Sequence, residues 1–511
     1  MKPNETIIKE LFESGVKTLD VLARLKRKAA KKYKISCPAN LSLLKTYHEM
    51  VKNKRVKPAK DIENLMITRP IRSLSGIVNI SVLTKEYPCP GKCLYCPQES
   101  GIPKSYVSGE PAVERAKGLR YDPYLQTEKR IEMLEGQGHP TDKIELRIVG
   151  GTWSYYPKQY QNWFVKKCFD ACNEKISTNL KRAQRINEKA RHRIVGLSVE
   201  TRPDFINKKE IERLRRLGAT LVELGVQSTY DDVLNKNLRG HSSKETILAT
   251  KLLKDAGFKV LYQMMPNLPG SDLRKDERMF KELFTNPDFQ PDLLKIYPCA
   301  LLKEAPLYKL WRNGQYKPYT ESQLANLIKK IKKTIPYYVR IQRISRDIPS
   351  SSIVSGPAKI SNLRQLLSEE MRKGNWQCKC IRCREVREKH SPEEKILLFR
   401  QDYEASGGKE VFLSFESEKR KLYSLLRLRI TPKEALIREI HTYGLSVPIA
   451  KKGKSPQHHG LGKRLIKTAE KIAKNEFNSK KISVIAGVGV RGYFRKEGYK
   501  LENTYMVKSL R

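Results

Sequence analysis

Three cysteines within eight residues carry the most specific chemistry in this sequence. They are Cys89, Cys93 and Cys96 of the run Pro88-Cys89-Pro90-Gly91-Lys92-Cys93-Leu94-Tyr95-Cys96. Spaced CxxxCxxC, three soft thiolates can hold three irons of a cubane [4Fe–4S] cluster. The fourth iron stays open, free to bind the amino and carboxylate groups of S-adenosylmethionine (SAM) and to pass an electron to its sulfonium. A closed structural zinc site takes four protein ligands, so a three-cysteine loop favours the cluster. Gly150-Gly151-Thr152 offers backbone that can approach the methionine part of SAM, since glycine has no side chain to hold it off. Glu200 and Gln227 close two later apolar runs and are candidates for the ribose or amino groups.

Two further groups have ligand-binding spacing. Cys378, Cys380 and Cys383 form a CxCxxC loop among arginines, a pattern for structural zinc with a fourth ligand from elsewhere, His390 or His441. The other four cysteines, Cys37, Cys168, Cys172 and Cys299, are scattered and read as buried or incidental thiols. Gln457-His458-His459-Gly460-Leu461-Gly462-Lys463 precedes an amphipathic stretch. Glycine-rich backbone at a helix N-terminus presents N–H donors and the positive end of the helix dipole to a pyrophosphate. QxxGxG is the pattern with which acetyltransferases of the GNAT class hold coenzyme A. Tyr493, after the next apolar run, is placed to donate a hydrogen bond near the thioester, while His458 and His459 line the loop.

These residues need elements to hold them. Apolar runs at Ile77–Leu83, 144–149, 194–199, 221–226, 260–265 and 293–297 alternate with amphipathic stretches such as 208–217 and 244–256. Repeated strand–helix units predict a parallel sheet, and six of them an α/β fold with a partial (βα)6 barrel whose ligands gather at the strand carboxyl ends. Residues 66–345 are assigned to it, and 346–400 to a Cys-rich zinc linker. Residues 401–511 read as a small α+β domain, GNAT-like, with strands near 411–415, 422–430, 435–440, 482–485 and 504–507. Residues 1–65 read as short amphipathic helices with a basic face, carrying sixteen Lys/Arg against five Asp/Glu over the first sixty positions. The whole chain of 511 residues has 101 Lys/Arg against 55 Asp/Glu, a formal charge of +46, which favours a polyanionic partner. No apolar run approaches the length of a membrane span and no secretory signal opens the chain, so nucleic acid in the cytoplasm is the expected setting, with no membrane partner.

From about residue 65 onward the chain resembles the catalytic subunit of Elongator and its stand-alone prokaryotic relatives. The resemblance rests on Tyr121-Asp122-Pro123-Tyr124, Gly150 to Trp153, Glu200-Thr201-Arg202-Pro203-Asp204, Glu223 to Ser228, Arg239-Gly240-His241, Met264 to Gly270 and Arg346-Asp347-Ile348-Pro349. Leu436 to His441, Gln457 to Gly462 and Tyr493 to Tyr499 extend it through the tail. It implies a radical SAM enzyme, a tRNA carboxymethyluridine synthase acting on the wobble uridine, U34, of the anticodon stem-loop. Its cofactors would be a [4Fe–4S] cluster, SAM, acetyl-CoA and Zn2+. Hydrogen abstraction from the acetyl methyl, addition of that carbon to uridine C5 and thioester hydrolysis would leave the carboxymethyl group. By the family pattern Lys158 contacts acetyl-CoA from the barrel side and Tyr493 contacts the CoA end. The strand Glu439, Ile440, His441 and Thr442 offers backbone to the pantetheine. Where the family usually has two tyrosines, this chain has Tyr493-Phe494. The CxCxxC loop resembles the prokaryotic branch, which implies a stand-alone enzyme or homodimer, with the need for other Elongator-like subunits left open. The alternative is a protein lysine acetyltransferase with a structural iron–sulfur domain.

Overall fold

The computed structural model describes residues 2–15, 17–359, 363–387, 394–432, 434–444 and 460–510. Its first sheet contains β1 (Val78–Leu83), β2 (Lys143–Val149), β3 (Arg193–Thr201), β4 (Leu221–Gln227), β5 (Lys259–Met264), β6 (Leu293–Ile296) and β7 (Arg340–Arg343). They lie side by side in chain order, every pair parallel, so helices must cross over between them and the sheet stays open as a half-barrel. The six expected strands are joined by a seventh. β7 is masked in the sequence because it reads Arg-Ile-Gln-Arg; Ile341 is buried, and Arg340 pairs with Glu385 at 2.7 Å.

Parallel strands are usually apolar on both faces. Here Val78, Ile80 and Val82 of β1 and Ile144, Leu146 and Ile148 of β2 are buried beneath the crossover helices. The alternate residues, Asn79, Ser81, Glu145 and Arg147, line an interior cavity. The barrel lumen is therefore polar and hollow rather than a packed apolar core.

Before this sheet, helices Pro3–Glu13, Leu19–Tyr33, Asn40–Lys52 and Lys60–Met66 close around a separate core of Ile7, Ile8, Leu11, Leu22, Leu43, Tyr47 and Met50. Thr18 caps the second helix through Val21 N (3.3 Å), and its basic run Lys26 to Lys32 faces mostly outward. The pair Arg55–Glu5, with two bonds of 2.9 and 3.0 Å, ties the end of the third helix to the first.

The second sheet is ordered β13-β14-β12-β11-β10-β9-β8. It comprises β8 (Ile396–Ala405), β9 (Gly408–Ser417), β10 (Leu422–Ile430), β11 (Ala435–Thr442), β12 (Lys481–Val484), β13 (Lys500–Glu502) and β14 (Tyr505–Ser509). The first four run antiparallel, β12 joins β11 in parallel, and helix Leu461–Asn475 crosses between those two. Two strands were not expected, β8 and β13. β8 begins inside the stretch assigned to the linker, and the Gly407-Gly408 pair lies at a hairpin bend, with Ser406 and Gly407 both at positive φ (48° and 72°).

The second sheet packs against the amino ends of the barrel strands. A Cβ on Gly487 would fall 2.0 Å from the Val195 carbonyl oxygen, so glycine there permits the approach. Beside it lies a buried ionic network. Arg438 donates to Asp292 (2.6 and 2.9 Å) and Glu410 (3.1 Å), Arg429 to Glu410 (3.0 Å), and Arg427 to Glu439 (2.7 Å). Among the described residues no helix is long and apolar enough to cross a membrane.

Candidate active site

The cysteine loop follows β1 and sits at the carboxyl ends of the strands. Leu94 N donates to the Asn237 carbonyl (3.2 Å) and Leu307 N to the Leu94 carbonyl (2.8 Å), which anchors the loop on both sides. A Cβ on Gly91 would lie 3.5 Å from Cys93 Sγ, 3.7 Å from Cys89 Sγ and only 2.7 Å from Arg202 Nη1. That glycine lets two thiols and a guanidinium converge. Arg239 Nη1 donates to Cys93 Sγ at 3.5 Å. Burial and the neighbouring Cys93 and Cys89 push the Cys96 thiol up to about 12. Three sulfurs in this loop, with two buried arginines at hand to offset negative charge, suit an anionic iron–sulfur cluster. His241, buried beside Arg239 and Arg202, is held neutral by burial and by those cations, at about 2.

Gly150 and Gly151 take φ values of 119° and 64°, and a Cβ on Gly150 would lie 2.3 Å from Thr84 Oγ1. The next residue, Thr152, is buried with its hydroxyl 3.6 Å from Cys89 Sγ. Glu200 accepts from Tyr106 (3.1 Å), Gln263 (3.1 Å) and Lys295 (3.1 Å). Burial raises its pKa, but Lys295, Arg346 and the Tyr106 hydrogen bond together hold it below the usual carboxylate value. Gln227 ends β4 at φ 71°, buried, with Oε1 unpartnered. The structure thus brings Gly150, Gly151, Thr152, Glu200 and Gln227 to the same end of the barrel as the cysteine loop.

A cavity of about 770 Å3 opens from there. It runs from Cys96, Tyr106, Gln227 and Tyr297, past Arg147 and Lys295, to Glu439, His441 and Tyr443 of the second sheet. The lumen residues Arg147, Lys295 and Gln263 escaped the sequence reading. Their signal was a polar residue at every second position of otherwise apolar strands.

β11 forms the far wall of that cavity and has two functional faces. Glu439 and His441 point into the cavity; Ile440 and Thr442, by strand alternation, point the other way. A Cβ placed on Gly462 would meet Tyr493 Oη at 3.5 Å, Ile440 Cδ1 at 3.6 Å and Thr442 Oγ1 at 3.6 Å, so these residues share one small site. The β11–β12 ladder extends only through Ile437, and a bulge falls at Arg438. Beyond it β12 no longer pairs with β11 among the described residues, and the β11 backbone lies opposite the start of helix Leu461–Asn475. Gly460 caps that helix at φ 70°, Leu461 is buried, and Lys463 pairs with Glu497 (3.3 Å). These groups fit the elongated chain and pyrophosphate of CoA. Burial lifts Tyr493 to about 12, so its phenol stays a donor. Phe494 is buried in the domain core, so the second ring of the pair does not face this site. Gln457 lies outside the described residues, as do His458 and His459.

Lys158 is not brought to this site. It starts helix Lys158–Asn173 beyond the carboxyl end of β2, exposed and away from the cavity, while Tyr493 lies at the amino ends of the strands. Cys378, Cys380 and Cys383 converge, all three sulfurs within 4.8 Å of one another. Hydrogen bonds from Cys378 and Cys383 hold Cys380 well below the usual thiol value, and Lys332 Nζ reaches Cys383 at 3.4 Å. A compact thiolate set suits one zinc ion. Among the described residues no other ligand joins it. His441 is not the fourth: its Nε2 bonds the Ser75 carbonyl at 2.7 Å and its ring stacks on Tyr443. His390 lies outside the described residues. The loop is held between both sheets by Ile381 N to the Val339 carbonyl (2.9 Å) and Val386 N to the Leu422 carbonyl (2.8 Å).

The chain matches the Radical SAM superfamily over residues 88–283 and the Radical_SAM C-terminal domain over 291–373. It is 46% identical to a tRNA uridine(34) acetyltransferase of Methanocaldococcus infernus, covering 99% of this chain and 98% of that protein. It is 38% identical to human Elongator complex protein 3, covering 99% and 96%. A solved structure of the archaeal Methanocaldococcus infernus Elp3 with an N-terminal deletion aligns with a TM-score of 0.75 at 46% identity. That alignment spans 85% of this chain and 100% of the other.

Proposed function

The chain belongs to the Elongator catalytic subunit family, and on that premise we propose that it installs a carboxymethyl group on C5 of the wobble uridine, U34, of tRNA. The relatives named tRNA uridine(34) acetyltransferase support the substrate and the acyl donor. The observation that carries the reading is the continuous cavity between the cysteine loop and β11. A simple acetyl transfer needs no such path, whereas joining an acetyl methyl carbon to a base needs the acyl end of a CoA held on the other face of β11 to reach round that strand into the cavity that opens at the cysteine loop.

In this reading a [4Fe–4S] cluster on Cys89, Cys93 and Cys96, with SAM, supplies hydrogen abstraction. Gly150, Gly151 and Thr152 approach the methionine part of SAM, while Glu200 and Gln227 orient its polar groups. Arg239, whose Nη1 lies 3.5 Å from Cys93 Sγ, sets a positive charge beside the anionic cluster. The β11 backbone from Glu439 to Thr442 and the helix start at Gly460 to Lys463 hold acetyl-CoA, and Tyr493 donates toward the thioester end. Cys378, Cys380 and Cys383 hold zinc and fix the two sheets relative to each other. The protein acts in the cytoplasm, where its tRNA substrate is found.

Anaerobic reconstitution with dithionite, SAM, acetyl-CoA and tRNA carrying unmodified U34 tests this, with nucleosides read by mass spectrometry. The expected product is carboxymethyluridine, dependent on both cofactors and absent with Cys93→Ala. A protein that binds tRNA and cleaves SAM yet leaves U34 unmodified would refute it.

A further inference from the structure

Ten arginines line the cavity, and they divide by how they are neutralised. Arg147, Arg340, Arg343 and Arg346 pair with Glu145, Glu385, Asp347 and Glu110. Arg364 and Arg382 donate to the backbone carbonyls of Ile341 and Gln342. The remaining four, Arg69, Arg72, Arg115 and Arg130, form no ion pair among the described residues.

Those four come from separate elements that converge on one side of the cavity mouth. Arg69 precedes and Arg72 ends the short turn Pro70–Arg72 between the N-terminal module and β1; Arg115 lies on helix Pro111–Gly118 and Arg130 on helix Pro123–Gly136. Arg72 donates to Gln137 Oε1 (2.6 Å) and Arg130 to Met133 Sδ (3.2 Å), both neutral acceptors. The acids nearby are engaged elsewhere, Glu110 with Arg346 and Glu114 with the Gly109 amide (2.6 Å). Burial first, and then the adjoining Arg115 and Arg72, bring Arg130 down to about 10. Partial desolvation and then Arg72 lower Arg115, against the pull of Asp347, although much of its side chain reaches solvent, and partial burial and Arg69 lower Arg72. Guanidiniums held near one another with no ion pair of their own among the described residues cost free energy in the unliganded chain, and an anion lying among them relieves it.

We propose that Arg69, Arg72, Arg115 and Arg130 form a phosphodiester-binding site that grips the RNA backbone beside the nucleotide entering the cavity. This rests on the tRNA reading above. Planar guanidiniums suit bidentate phosphate contact, and their position at the mouth rather than in the lumen suits a backbone that stays outside while a base turns in. A CoA phosphate is the other source of the same chemistry; the glycine-capped helix start on the far side of β11 already offers it a separate site.

The test measures binding of a fluorescently labelled anticodon stem-loop over a salt series. It compares the unmodified protein, Arg115→Gln, and the triple variant Arg72→Gln, Arg115→Gln, Arg130→Gln. Each lost phosphate contact should flatten the slope of log K against log[salt] by about 0.7 to 0.9, so by roughly 2 to 3 in the triple variant. Arg115→Lys, which keeps the charge, should restore most of the slope. CoA affinity, titrated in the same samples, should not move. The exposed Arg115 site supplies a variant whose folding is not at stake, should the triple one unfold. An unchanged slope in Arg115→Gln and the triple variant, in a protein that binds the stem-loop, would overturn this site and leave the tRNA reading standing. Weakened CoA with unchanged RNA binding would reassign the arginines to CoA. An unmodified protein that fails to bind the stem-loop would overturn the tRNA reading and this site with it.

Discussion

Gly462→Ala should separate stability from acetyl-CoA binding. Gly462 is the second residue of helix Leu461–Asn475 and has no positive φ, so alanine can adopt its backbone without strain. The added methyl would meet Tyr493, Ile440 and Thr442 at 3.5 to 3.6 Å, ordinary van der Waals distances. Replacing a helical glycine by alanine is worth about 0.5–1 kcal/mol, so the unliganded variant should melt at the same temperature or slightly higher. The same methyl fills the space between the helix start and β11, where the proposed CoA chain would pass. For the unmodified protein, CoA at a hundredfold its Kd should add about 2.7 kcal/mol of protection. Thermal melting with and without CoA reads both quantities. Lost protection with an unchanged or raised unliganded melting temperature is expected. Full CoA protection in Gly462→Ala would refute the placement of CoA at this helix start.

Asp292→Asn removes the buried carboxylate facing Arg438, Arg427 and Lys254 and should destabilise the sheet–sheet junction by about 3–5 kcal/mol, seen in chemical denaturation. Lys254→Met should be neutral or stabilising, because Nζ makes no hydrogen bond and its nearest carboxylates lie at 3.6 and 3.7 Å. Burial brings Lys254 down from 10.5 to about 8. The folded chain thus releases this proton before the unfolded one does, and this contribution to stability should rise between pH 8 and 10.5 and vanish in Lys254→Met. Removing zinc with a chelator, or Cys380→Ser, should lower the melting temperature and expose the Cys378, Cys380 and Cys383 thiols to a colorimetric reagent; unchanged thiol reactivity would count against a metal there.

The cysteine loop, the Gly150 turn and the Gly460–Lys463 helix start were legible because each depends on a short local spacing. Strands with apolar runs were legible for the same reason. β7 was not, because its Arg-Ile-Gln-Arg sequence becomes a strand only through pairing with β6 and through Glu385, which neutralises Arg340 from forty-five positions away. β8 was hidden because only its pairing with β9 shows why a charged, alternating stretch should extend.

Local spacing alone was enough to single out the candidate ligands for iron–sulfur, SAM, CoA and zinc, since ligand sets within a few residues are properties of the chain. The packing of one sheet on the other is what sets Glu439 and His441 of β11 against the cavity and Ile440 and Thr442 against the helix start at Gly462, through the two-residue strand period. It also separated Lys158 from Tyr493, turned His441 away from the zinc cysteines and gathered four unpaired arginines at one mouth. These relations join residues tens to hundreds of positions apart. They arise from the packing of one sheet on the other, which no local pattern encodes.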